Sequence, residues 1–192
     1  VRLPAFLRRT DPEWPTGRAA RRARRSYFAR ERSSGYVLDQ LLSALPDERD
    51  DLYLLLASNE RECAALHDTA FGPDVLTDED VAAGECTLPA MHAYSAALFW
   101  LLAAVEVRVA AGDRVPPPLS WAGVTEFPEV EQAAAPVLDR MVAAPERRLD
   151  LLVDLRLAVW DVVPGQGAEG LAAVTPPCTL WARVRQSMTE AA

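Results

Sequence analysis

Lysine is absent from this 192-residue chain, so every strong side-chain base in it is an arginine. Histidine is nearly absent as well. His67 and His92 cannot between them supply a three-histidine zinc centre. Neither has a glutamate three residues before it (Ala64 and Pro89 stand there), which disfavours the paired Glu-x-x-His arrangement of di-metal carboxylate bundles. The three cysteines, Cys63, Cys86 and Cys178, are odd in number and widely spaced, so no disulfide framework is expected. No Gly-x-Gly-x-x-Gly, phosphate-binding loop, Gly-x-Ser-x-Gly or His-Glu-x-x-His occurs, which leaves nucleotide binding and the common hydrolytic chemistries without a motif. No run alternates with period two between turn residues, and no repeat of fixed period is found.

Long apolar runs are lacking too. The longest, Ala96 to Val105, falls short of the roughly 20 residues needed to span a bilayer, so no transmembrane segment is expected. Val1–Leu7 is too short for the apolar core of a secretory signal, and the expected setting is reducing and cytoplasmic. Arginine in place of lysine, with abundant Ala, Val, Pro and Asp, points to a GC-rich bacterial genome, an inference from codon usage alone.

What the chain does hold is material for a core. Half its residues are hydrophobic and a quarter charged, at a length that suits one domain. The stretch 87–112 organises the rest. Thr87 is a good N-cap, Pro89 falls in the first turn where its missing N–H costs nothing, and Gly112 supplies a stop. Met91, Leu98, Leu102, Val105 and Val109 recur at helical spacing, while Phe99, Trp100 and Leu101 add apolar bulk on other faces. A helix apolar nearly all round is buried on several sides, at the centre of a bundle.

Around it the spacing predicts further helices. Arg18–Arg32 is one, ended by Ser33-Ser34-Gly35, and Tyr36–Leu45 is the next. A helix from Pro46 to about His67 carries Asp47, Asp50 and Asp51 at its start, where the dipole favours acids, and an apolar line through Leu52, Leu55, Leu56, Cys63 and Leu66. Thr77 with Asp80 has the form of a capping box opening a short turn of helix. A proline-rich linker follows from Val115 to Pro128, then a helical hairpin over 129–143 and 145–163 with Pro136 inside its first arm, and a last helix over 179–189. The expected fold is all-α: an irregular bundle of five to seven helices around 87–112, preceded by an extended basic N-terminal arm. Residues 1–34 are read as that arm and its helix, and 35–192 as a single all-helical domain.

Charge is the most distinctive feature. Residues 1–32 hold ten arginines against three acids, a net +7, and the remainder holds ten arginines against 25 acids, a net −15. Arg18, Arg21, Arg22, Arg24 and Arg25, with Tyr27 and Phe28 close by, are the candidate partner-binding residues, suited to an acidic protein surface or, as an alternative, to nucleic-acid phosphates. On the central helix His92, Ser95 and Glu106 project within about 60° of one another and form a candidate polar seam for a small ligand.

Weaker constellations have plainer readings. Cys63, His67, Cys86 and His92 amount to a chemically sufficient zinc set, but in a spacing that matches no standard finger. Arg61 and His67 fit the loose Arg–His spacing of some all-helical ribonucleases, a pattern short enough to arise by chance. Asp150, Asp154 and Asp161, with Arg147, have the spacing of a solvated helix face. Pro116–Trp121 has the composition of a polyproline docking segment or of a linker. The leading expectation is a non-enzymatic, cytoplasmic helical interaction or regulatory protein that binds a protein partner or another subunit through its arginine-rich arm, with no catalytic residue, no metal and no cofactor. Nucleic-acid association and a small-ligand-binding bundle or enzyme are the alternatives.

Overall fold

A computed structural model describes residues 14–41, 43–45, 48–82, 86–112, 119–160 and 162. Among them are six α-helices, one short 3-10 turn and no strand, so the chain is all-α. In chain order they are α1 (Arg18–Leu41), α2 (Arg49–Phe71), α3 (Asp78–Ala82), α4 (Leu88–Ala110), α5 (Pro128–Ala143), the 3-10 turn Pro145–Arg147 and α6 (Arg148–Trp160). The most extensive contacts join α2 to α4 and α1 to α2, while α5 and α6 pair as a hairpin against α4.

Helix α4 is central, as its all-round apolar sequence requires. Thr87 caps it by accepting the Ala90 N–H at 3.3 Å, and Gly112, at φ 70°, occupies the left-handed region just past its end. Ala96, Ala97, Leu98, Phe99, Leu101, Leu102 and Val105 are all buried. By length and composition α4 would suffice to cross a membrane; here its apolar stretch is more than half buried among the other helices. The aromatic ring of Tyr53 from α2 stacks on Phe99 at 6.3 Å, and Leu138, Met141, Leu152 and Leu155 close the core from the hairpin side.

Two expectations need correction. Ser33-Ser34-Gly35 does not end a helix: α1 runs through it to Leu41, so basic segment and body share one rod. Glycine costs a helix about 1 kcal/mol, a small penalty beside burying Val37, Leu38 and Leu41 in the core. On α2 the buried face is Tyr53, Leu56, Asn59, Glu60, Cys63, His67 and Ala70, whereas Leu54 and Leu55 are exposed. Of the expected apolar line, Leu56 and Cys63 lie on the buried face, Leu52 and Leu66 at its edges, and Leu55 off it. The capping box at Thr77 is present, with Thr77 Oγ1 accepting the Asp80 N–H and Asp80 Oδ2 accepting the Thr77 N–H at 2.9 Å.

The linker after α4 is held down by side chains. Trp121 is buried, donates Nε1–H to Asp139 at 2.8 Å and lies under the Arg108 guanidinium at 4.1 Å. The buried carboxylate of Glu131 accepts the backbone N–H groups of Gly123 and Thr125. The helix expected over 179–189, the residues before Trp14 and Cys178 lie outside the described residues.

Candidate functional site

Three helices bring polar side chains into the seam where α1, α2 and α4 meet. Tyr27 and Glu31 stand one turn apart on α1, Glu60, Cys63 and His67 follow one face of α2, and His92 projects from the first turns of α4. His92 is the hub. Its Nδ1 lies 2.7 Å from Glu60 Oε2 and its Nε2 lies 2.7 Å from the Tyr27 hydroxyl. With Nδ1–H donating to the carboxylate, Nε2 is left as an acceptor and the Tyr27 O–H donates to it. This tautomer, assigned from the partners, satisfies all three groups at once.

Tyr27 and Glu60 are almost wholly inaccessible, and Cys63 is buried with its Sγ 3.9 Å from the Tyr27 carbonyl. Glu31 is placed differently. The residue reaches solvent, yet a carboxylate oxygen of Glu31, the Cys63 sulfur and a ring nitrogen of His92 all lie within 4.8 Å of one another. The seam thus has a closed floor at Glu60 and an open edge at Glu31.

Its electrostatics follow from crowding acids in a region short of water. Burial raises Glu31 above the ordinary carboxylate value, with His92 opposing the rise and Glu60 adding to it. Burial also pushes the Cys63 thiol far up, reinforced by Glu60 and Glu31. The Tyr27 hydroxyl moves the same way, through burial first and then Glu31. In each case burial acts first and neighbouring acids add to it, so a cation in the seam would oppose the rise.

An aromatic collar closes one end of the seam. Phe71 meets Tyr27 edge-on at 5.0 Å and Trp14 at 5.1 Å, and His67 lies 5.4 Å from the Phe71 ring. Arg24 fastens this end. Its Nη1 donates to the carbonyls of Pro15 at 2.9 Å and Ala70 at 2.6 Å, the latter an end carbonyl of α2, while the guanidinium lies over Trp14.

The residues singled out from the sequence are redistributed accordingly. Of the arginine-rich group, Arg24 and Tyr27 are engaged inside the fold, and Arg18, Arg21, Arg22, Arg25 and Phe28 are exposed on α1. His92, Ser95 and Glu106 do not converge. Fourteen residues of helix separate His92 from Glu106, about 21 Å at 1.5 Å per residue. His92 joins Tyr27 and Glu60, Ser95 is buried one turn on, and Glu106 pairs with Arg148 of α6 at 2.6 Å.

Of the four-residue zinc set, only Cys63 and His92 converge. His67 turns its Nδ1 to Asp68 at 3.3 Å, and Cys86 lies near Tyr94 instead. Arg61 pairs with Glu126 at 3.1 Å and stacks on Trp100, on a different side of α2 from the buried His67. Asp154, half-buried, pairs with the exposed Arg140, and Asp150 pairs with Arg147, both exposed, in keeping with a solvated face; Asp161 lies outside the described residues. Trp121 of the proline-rich segment is turned inward. Glu31, Tyr27 and Glu60 as members of one polar seam had no signal in the sequence beyond their helical spacing.

No family model, no curated protein and no solved structure matches this chain.

Proposed function

We propose that the protein is a helical interaction module whose arginine-bearing face of α1 docks on an acidic protein surface, that of a partner or of another subunit of its own kind. The observation that supports this reading is the distribution of exposure around α1. At 100° per residue Arg18, Arg21, Arg22, Arg25, Phe28, Arg32 and Tyr36 fall within about 120° and all are exposed. The buried Ala20, Ala23, Tyr27, Ser34, Val37, Leu38 and Leu41 occupy the opposite side. The stripe runs about 27 Å along the helix.

Its composition suits carboxylates. Guanidinium groups bind them in bidentate pairs, and exposed aromatics such as Phe28 and Tyr36 are the side chains that anchor protein interfaces. The −15 remainder of the same sequence offers a complementary surface on a second copy.

Light scattering of the full chain at low and high salt tests the reading, alongside anisotropy titrations with labelled polyglutamate. Self-assembly or polyglutamate binding at low salt is expected to weaken as salt rises, and to disappear in Arg18→Glu/Arg22→Glu/Arg25→Glu with its helical spectrum unchanged. A protein monomeric throughout and indifferent to polyglutamate overturns it. The second reading is nucleic acid, favoured by aromatics exposed along the stripe and opposed by repulsion from the acidic remainder. Its mark is oligonucleotide affinity that falls steeply with salt while polyglutamate fails to bind.

A further inference from the structure

We propose that Glu31, Cys63 and His92 bind a divalent transition-metal ion of the zinc class in the seam between α1, α2 and α4. The site is independent of the arginine stripe and stands or falls without it.

Convergence is the first argument. One donor atom from each residue lies within 4.8 Å of the other two, although they come from three helices and span 61 positions of sequence from Glu31 to His92. Ligands around tetrahedral zinc, at bond lengths near 2.0–2.3 Å, stand roughly 3.3–3.8 Å apart. A contraction of up to about 1–1.5 Å is therefore required, shared between rotamer adjustment of Glu31 at the open edge and small shifts of the Cys63 and His92 side chains.

Orientation is the second. Metal-ligating histidines almost always donate their other ring N–H to a carboxylate or carbonyl, which fixes the tautomer and raises the basicity of the ligating nitrogen. The buried Glu60 does this for His92, holding Nδ1–H at 2.7 Å and leaving the lone pair on Nε2. That lone pair accepts the Tyr27 hydroxyl at 2.7 Å. The hydroxyl gives way when Nε2 turns to a metal and remains beside it as a donor to the fourth ligand, a water.

Donor chemistry is the third. A thiolate, an imidazole and a carboxylate together select a borderline-soft ion over magnesium or calcium, which take oxygen ligands. Binding displaces the Cys63 thiol proton to solvent, and the ion offsets the crowding of Glu31, Glu60 and Cys63. Glu31 at the solvent edge provides the way in.

The test uses the purified, reduced, full-length chain, stripped with chelator and titrated with Co(II), then Zn(II). One equivalent of Co(II) is expected to produce thiolate-to-cobalt charge transfer in the near ultraviolet and intense visible bands, which Zn(II) bleaches. The charge-transfer band is expected to vanish in Cys63→Ser and persist in Cys86→Ser/Cys178→Ser. Glu31→Gln, at the exposed edge where folding is least at risk, is expected to weaken zinc binding. Glu60→Gln is expected to weaken it by about 10–100-fold, the usual loss for a carboxylate behind a ligating histidine. Absence of a thiolate band in the wild-type chain, a band that follows Cys86 or Cys178 instead of Cys63, or equal zinc affinity in wild type and Glu31→Gln overturns the proposal.

Discussion

His92 of α4 and Glu60 of α2 face each other at 2.7 Å across 32 positions of sequence, both withdrawn from water. The pair ties the two most extensively packed helices together, and the Tyr27 hydroxyl extends the tie to α1. Replacing His92 with Ala leaves a buried carboxylate and a buried hydroxyl with their partner removed. Urea unfolding is expected to show a loss of about 2–5 kcal/mol, the cost of leaving a buried carboxylate and a buried hydroxyl without their hydrogen-bond partner. A loss under 1 kcal/mol would mean that water takes the imidazole's place.

The second buried pair, Glu106 with Arg148, holds the hairpin to α4. Arg148 Nη1 stands 2.6 Å from Glu106 Oε1, close enough for strong attraction but without hydrogen-bond alignment. Arg148→Ala is expected to cost about 3–5 kcal/mol by stranding Glu106. Glu106→Leu/Arg148→Met, which removes both charges and keeps the volume, is expected to recover most of that loss. Denaturant melts of the two single variants and the double complete the cycle.

Tyr53 has a fully buried hydroxyl with no hydrogen-bond partner among the described residues. Burial raises its pKa above the ordinary 10.0, and the nearby Glu106 adds to the rise. The folded state thus keeps a proton that the unfolded state releases, so this contribution is whole below pH 10 and is lost as pH rises beyond it. Tyr53→Phe is expected to be at least as stable as wild type at pH 7. Above pH 10 its stability should fall less steeply, by up to about 1.4 kcal/mol per pH unit. Melts at pH 7, 10 and 11 measure both effects.

Glu31 gives a pH dependence at the acid end. Its carboxyl is raised above 4.5 by burial, with His92 opposing and Glu60 adding to the rise. Protonation is therefore tighter in the folded chain, and the associated stability is whole below about pH 4.5 and lost as pH rises through the folded-state value. In chelator-stripped protein, Glu31→Gln is expected to be more stable than wild type at pH 7 and indistinguishable from it at pH 4. Thermal melts at the two values provide the comparison, and an advantage at pH 4 alone would contradict it.

The legibility of these features divides by how local their causes are. Thr87, Pro89 and Gly112 bracket α4 correctly because caps and stops act within one turn of helix. The Thr77–Asp80 box reads directly for the same reason. Ser33-Ser34-Gly35 misleads because its local preference against helix is smaller than the burial gained by Val37, Leu38 and Leu41 beyond it. The face of α2 misleads more deeply. Glu60, Asn59 and His67 are polar and buried, while Leu54 and Leu55 are apolar and exposed, so a hydrophobic period finds Leu56 and Cys63 but misses the polar half of the buried face and adds Leu55 to it.

By itself, then, the sequence determined an all-helical chain, a central apolar helix with its two ends, and a basic segment on an acidic remainder. Those follow from spacing, composition and nearest-neighbour hydrogen bonds. Only the tertiary structure decided that Tyr27, Glu31, Glu60, Cys63 and His92 share one seam, and that His92 and Glu106 belong to different ones. A helix fixes the angle at which a side chain leaves it but not which other helix stands opposite. A buried polar group is stable only when that opposite helix delivers its partner.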